Sequence, residues 1–77
     1  MKIKIKFKDQ EWASLFVKNM NTLPCDVNIF DGKMAFDAKS ILAVLNLDFR
    51  KEFLVECITD KKEIYEKFRE LLGLFEV

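Results

Sequence analysis

The dipeptide Asp31-Gly32, set between two runs that alternate apolar and polar residues, constrains this chain more than any other feature. A tight antiparallel hairpin needs positive φ in its turn, and Asp-Gly supplies that at both central positions of a type I′ turn. Before the turn, Cys25, Val27 and Ile29 occupy alternate positions; after it, Met34 and Phe36 do the same. A two-residue turn centred on Asp31-Gly32 pairs Ile29 with Met34 and Val27 with Phe36. All four then share one face, so turn chemistry and apolar pattern agree on a sheet with one covered side.

The rest of the chain supplies the cover. MKIKIKFK alternates strictly, with Ile3, Ile5 and Phe7 on one side and lysines on the other, which predicts a half-buried strand. Asp9 is placed to cap a helix whose apolar face is Ala13, Phe16, Val17 and Met20, widened by Trp12 and Leu15. Asn21, Thr22 and Pro24 end it. Asp37 or Ser40 can cap a short helix carrying Ile41, Leu42, Val44 and Leu45, with Leu47, Asp48 and Phe49 as an irregular exit. EFLVECIT predicts a strand with Phe53, Val55 and Cys57 inward and Leu54, Glu56 and Ile58 outward. Asp60 with Glu63 resembles a capping box for a last helix that buries Ile64, Phe68 and Leu71, flanked by Tyr65 and Leu72. Gly73 is placed for a left-handed stop. The expected order is β-α-β-β-α-β-α: an α+β fold of one domain, residues 1–77, with a four-stranded antiparallel sheet covered by helices on one face.

Composition excludes several functions. Lys and Arg number 13, as do Asp and Glu, so the chain lacks the basic surplus of a general nucleic-acid or acidic-membrane binder. No apolar run reaches membrane-spanning length, and the Ile-Lys alternation at the start is not a signal peptide. Two Cys without a secretion signal point to reduced thiols and a cytoplasmic location. The chain has no His, which removes the commonest general base and a common metal ligand. No nucleophile–base pair, CxxC or four-ligand zinc set is visible, so no catalytic residue, metal or cofactor is expected.

The element order, with a short second helix opened by Ser, resembles the phosphocarrier protein HPr of the bacterial sugar phosphotransferase system. The likeness is most specific at Ala38-Lys39-Ser40-Ile41-Leu42, similar to the family's regulatory segment, and at Leu15-Phe16-Val17-Lys18, similar to "Q-F-V-K" on its first helix. It implies an open-faced β-sandwich. The family carries its phosphoryl group on the His of an "H-T-R-P" loop. Anchored on Phe16-Val17-Lys18, that loop falls on Asp9, Gln10, Glu11 and Trp12, with Asp at the His position and Glu at the Arg position. Phosphohistidine transfer is therefore rejected, because there is no His and a phosphate would face Asp9 and Glu11.

What remains is weighed residue by residue. The resemblance makes Ser40 a candidate phosphorylation site, with Lys39 beside it; the plain alternative is an N-cap serine. Lys39, Ile41, Leu42 and Leu45 form a candidate surface for a protein partner; the alternative packs Leu42 under Phe49 or Leu47. Leu54 and Ile58, with Phe30 and Ala35 nearby, interrupt an otherwise polar outer face and suggest a homodimer; the alternative is scattered apolar exposure. In an HPr-like strand order, Cys25 and Cys57 could lie close together as buried thiols. Trp12 is read as core at the helix start, or else a lid over the lost loop. The reading is a non-catalytic regulatory or interaction domain. The rivals are a self-associating domain and a small ferredoxin-like ligand-binding module.

Overall fold

The hairpin forms, with a register two residues away from the expected one. In the computed structural model, which describes residues 1–77, β2 (Asp26–Asp31) and β3 (Met34–Asp37) pair antiparallel, with Asp31 opposite Met34 and Ile29 opposite Phe36. The turn residues are therefore Gly32 and Lys33, not Asp31 and Gly32. Gly32 has φ 60° and no non-glycine residue has positive φ, so the turn has the glycine-first form of type II′ instead of type I′. A shift of two positions keeps every side chain on its own face, which is why the apolar pattern could not detect it. The partner of Ile29 becomes Phe36, and Met34 is left 62% exposed at the hairpin tip.

The remaining elements are β1 (Ile3–Ile5), α1 (Gln10–Met20), α2 (Ile41–Leu45), β4 (Phe53–Ile58) and α3 (Lys62–Leu72). The sheet runs β1-β4-β2-β3, antiparallel throughout. This is the expected β-α-β-β-α-β-α order in an HPr-like α+β open-faced sandwich. The order also overturns the ferredoxin-like alternative, which needs β1 and β3 at the centre; here β4 and β2 are central.

The inward residues Ile3, Ile5, Val27, Ile29, Phe53, Val55 and Cys57 are buried against the helices. On α1 the expected face of Ala13, Phe16, Val17 and Met20 is buried, but Leu15 is 40% exposed and does not widen it. Aromatic rings organise one end of this core. Phe7 meets Phe16, Phe49, Phe53 and Phe75 at centroid distances of 5.1, 5.6, 5.9 and 6.0 Å. Three of those contacts are edge-on, the arrangement favoured by ring quadrupoles.

Phe75 belongs to a feature that sequence pattern missed. After α3 the chain continues in a right-handed turn, with the N–H groups of Phe75 and Glu76 both donating to the Leu72 carbonyl. Residues 75–77 then lie along β1: Lys6 N–H donates to Phe75 O and Val77 N–H to Lys4 O, both at 3.0 Å. The free edge of β1 is thus covered. This route corrects three expectations. Gly73 has φ −52° and is not a left-handed stop. The deepest residues of α3 are Phe68 and Leu72, while Ile64 and Leu71 are only half-buried. Asp60 and Glu63 form no capping box, because Lys61 holds the N-cap position and its N–H donates to Thr59 Oγ1.

Candidate functional site

The segment before α2 is tied down on several sides. Ala38 is fully buried and its N–H donates to Val27 O at 2.9 Å, which fixes the segment to β2. Lys39 N–H donates to Asp37 Oδ1, and Ser40 N–H to Asp37 O. Asn21, just past the end of α1, donates through Nδ2 to both Val17 O and Lys39 O. Lys39 Nζ donates to Leu23 O at 2.7 Å. Ser40 is the N-cap, with Oγ accepting from Ala43 N–H at 3.3 Å. Asp37, the other candidate cap, instead orders the turn before it.

This scaffold decides which faces α2 can show. Val44 is fully buried and Leu45 half-buried, while Ile41 is 41% and Leu42 74% exposed. Leu42 therefore does not pack under Phe49 or Leu47, and the core alternative for it fails. A five-residue helix has a single buried stripe, and here Val44 occupies it. Lys39 is also not the free cation its position beside Ser40 suggests, since Leu23 O holds it. Asn21 and Leu23 were invisible as anchors, because both reach their partners across the α1–α2 junction and no local spacing encodes that.

At the start of α1, Asp9 accepts from Trp12 N–H at 2.9 Å as an ordinary side-chain cap. Asp9, Gln10, Glu11 and Ser14 line a shallow open depression with two carboxylates and no basic residue. Trp12 is half-buried, stacks edge-on against Phe75 at 5.4 Å and carries Lys8 Nζ 4.6 Å from its ring centroid. It stands at the edge of the core, beside a cleft of about 280 Å³ that it shares with Phe7 and Phe75.

A solved structure matches this architecture: HPr-C-His from Thermoanaerobacter tengcongensis, at a TM-score of 0.73, 22% identical, covering 97% of this chain and 88% of that one. The fold is that of HPr. No protein-family model matches the chain, and no curated protein sequence does.

Within the HPr-like frame, the position that the resemblance gives to the family's His is Asp9, already committed to capping α1. On the open face, Phe30 lies directly opposite both Leu54 and Ala35, and Ile58 opposite Asp26. Phe30 and Leu54 are half-buried, with Lys2 Nζ 4.2 Å from the Phe30 ring centroid; Ile58 is 52% exposed. Cys57 is buried and Cys25 half-buried, their Sγ atoms 3.6 Å apart and unbonded. Burial, followed by the hydrogen bond with Cys25, pushes the Cys57 thiol up to about 12. No group of three His, Cys, Asp or Glu is placed to hold a metal ion, and no helix is long and apolar enough to cross a membrane.

Proposed function

We propose that this chain is a non-catalytic HPr-like regulatory or interaction domain that binds a protein partner through α2. The observation that carries the reading is the exposure of Leu42, at 74%, and Ile41, at 41%, on a helix whose start is held by five separate hydrogen bonds from Ala38, Lys39, Ser40 and Asn21. An apolar patch on a rigid base loses little conformational freedom when a partner covers it. Leu45 forms the inner border of the patch, and Ser40 stands at its edge. The reading excludes a phosphocarrier role, because the chain has no His and Asp9 and Glu11 repel a phosphate at the start of α1.

Phosphorylation of Ser40 would replace its Oγ–Ala43 contact with a dianion at the border of Ile41 and Leu42, changing which partners the surface accepts. Lys39 would have to leave Leu23 O to pair with it. The test captures partners on the wild type, Ser40→Asp and Leu42→Ser chains. Loss of a partner with Leu42→Ser supports the surface. Identical partner sets for wild type and Ser40→Asp, with no added phosphate mass after incubation with an HPr kinase, remove the switch.

A second reading, self-association through the open face, is favoured by the direct pairing of Phe30 with Leu54 beside exposed Ile58. Sedimentation of the unmodified chain separates the two. A dimer dissolved by Ile58→Lys would support the second reading, and a monomer would sink it.

A further inference from the structure

The Sγ atoms of Cys57, on β4, and Cys25, in the bend that leads into β2, stand 3.6 Å apart with both thiols free. Cys57 is opposite Val27 in the β2–β4 ladder. Cys25 lies two residues before Val27, in the bend that precedes β2, so the thiols meet on a diagonal of the inner face. A disulfide needs its sulfurs about 2.05 Å apart, so the gap must close by roughly 1.5 Å. Cys57 is fixed in the ladder, but Cys25 is outside it, so the movement can come from the bend without separating the strands. The two thiols also differ in access. Cys25 is half-buried and within reach of a small reagent, whereas Cys57 is 8% exposed.

We propose that Cys25 and Cys57 form a reversible dithiol–disulfide modification site whose oxidant is a small-molecule disulfide of the glutathione class. The Cys25 thiolate attacks one sulfur of the reagent. The reagent's S–S bond breaks, one thiolate leaves, and a mixed disulfide forms on Cys25. Cys57 then gives its proton to solvent, and its sulfur attacks the Cys25 sulfur. The second reagent thiolate leaves as the Cys25–Cys57 bond forms. Two protein thiols lose two electrons and two protons in total, and one reagent disulfide becomes two thiols. Burial, which favours the neutral form of Cys57, makes it the resolving thiol and leaves Cys25 to react first.

The bond would close a loop across a sequence separation of 32. It would also fix the bend that contains Leu23, whose carbonyl receives Lys39 next to Ser40. Oxidation is thus placed to stiffen the anchor of α2.

The test incubates the full chain with oxidised glutathione, quenches with acid, and measures intact mass and thiols alkylatable after denaturation. The expected product is a monomer that has lost the mass of two hydrogens, has no alkylatable thiol, and is restored by dithiothreitol. Cys57→Ser should stop at a persistent glutathione adduct on Cys25, and Cys25→Ser should form no adduct under native conditions. A wild-type chain that keeps both thiols alkylatable would overturn the proposal. So would a lasting adduct on wild-type Cys25, or a disulfide-linked dimer.

Discussion

Lys39 Nζ donates to the carbonyl of Leu23 at 2.7 Å, so the cation adjacent to Ser40 in sequence serves the junction between α1 and α2. Lys39→Met keeps the aliphatic stem and removes the charged donor. A partly buried hydrogen bond of this kind contributes about 1 kcal/mol, and a urea titration should show that loss in Lys39→Met with an unchanged slope. No change in midpoint would mean that solvent satisfies Leu23 O equally well.

Neighbouring residues of α2 should respond in opposite ways. Leu42 is 74% exposed, and Leu42→Ser should change stability by no more than about 0.5 kcal/mol. Val44 is fully buried, and Val44→Ala should cost about 2 kcal/mol through lost burial and a residual cavity. Thermal unfolding of the two variants checks the contrast. Equal destabilisation would show that Leu42 is packed, and would remove the apolar surface on which partner binding rests.

The C-terminal strip should be structural. Phe75 is 1% exposed and meets Phe7, Phe16 and Trp12 at 6.0, 5.6 and 5.4 Å. Phe75→Ala should cost about 3 kcal/mol or more, enough to threaten the folded state of so small a domain. Hydrogen exchange should also rise at Lys6, whose N–H donates to Phe75 O. Protection at Lys6 equal to the wild type would contradict the pairing of this strip with β1.

The two glycines should separate by backbone conformation. Gly32 has φ 60°, where an L-residue is strained, so Gly32→Ala should cost about 1 kcal/mol or more despite open space around it. Gly73 has φ −52°, and an added Cβ would meet Glu70 O at an ordinary 3.5 Å. Gly73→Ala should therefore be neutral, or stabilising by about 0.5 kcal/mol. Denaturation midpoints decide it, and a large loss at Gly73 would restore the left-handed stop.

Stability should change at both ends of the pH scale. The Cys57 thiol, raised from 9.0 to about 12 by burial, keeps its proton in the folded chain where the unfolded chain releases it. Its contribution is whole below 9.0 and falls as pH rises toward 12. Under reducing conditions, Cys57→Val should flatten that alkaline decline. Asp48 is lowered from 3.8 to about 2, first by its side-chain hydrogen bond with Arg50 and then by the Arg50 N–H. Its contribution is present above 3.8 and is lost as pH falls toward 2. The pair is solvent-exposed, so Asp48→Asn should alter the acid limb only slightly. An alkaline limb unchanged by Cys57→Val would show that Cys57 ionises as freely folded as unfolded.

Much of this molecule was legible in the residue pattern, because local rules and burial agreed. Alternation in β1, β2 and β4, the apolar face of α1, and the Asp9 and Ser40 caps all rest on neighbours within four positions, where sequence spacing is geometry. Those features determined the element order and the sheet with one covered face. They also placed Asp37 or Ser40 at the start of a short helix, and the absence of His leaves no residue in this sequence to carry a phosphohistidine. Tertiary structure decided what depends on distant partners. The hairpin slipped by two residues because both registers present the same faces. The α3 stripe turned toward Leu72, and Gly73 stayed right-handed, because Phe75 had to reach Phe7 and residues 75–77 the edge of β1. Lys39 was claimed by Leu23, and Leu42 was left in solvent because Val44, with Leu45 partly buried beside it, took the inward side of α2. Cys25 and Cys57 met at 3.6 Å because β2 and β4 are neighbours, and only chain closure over long separations could set that pairing.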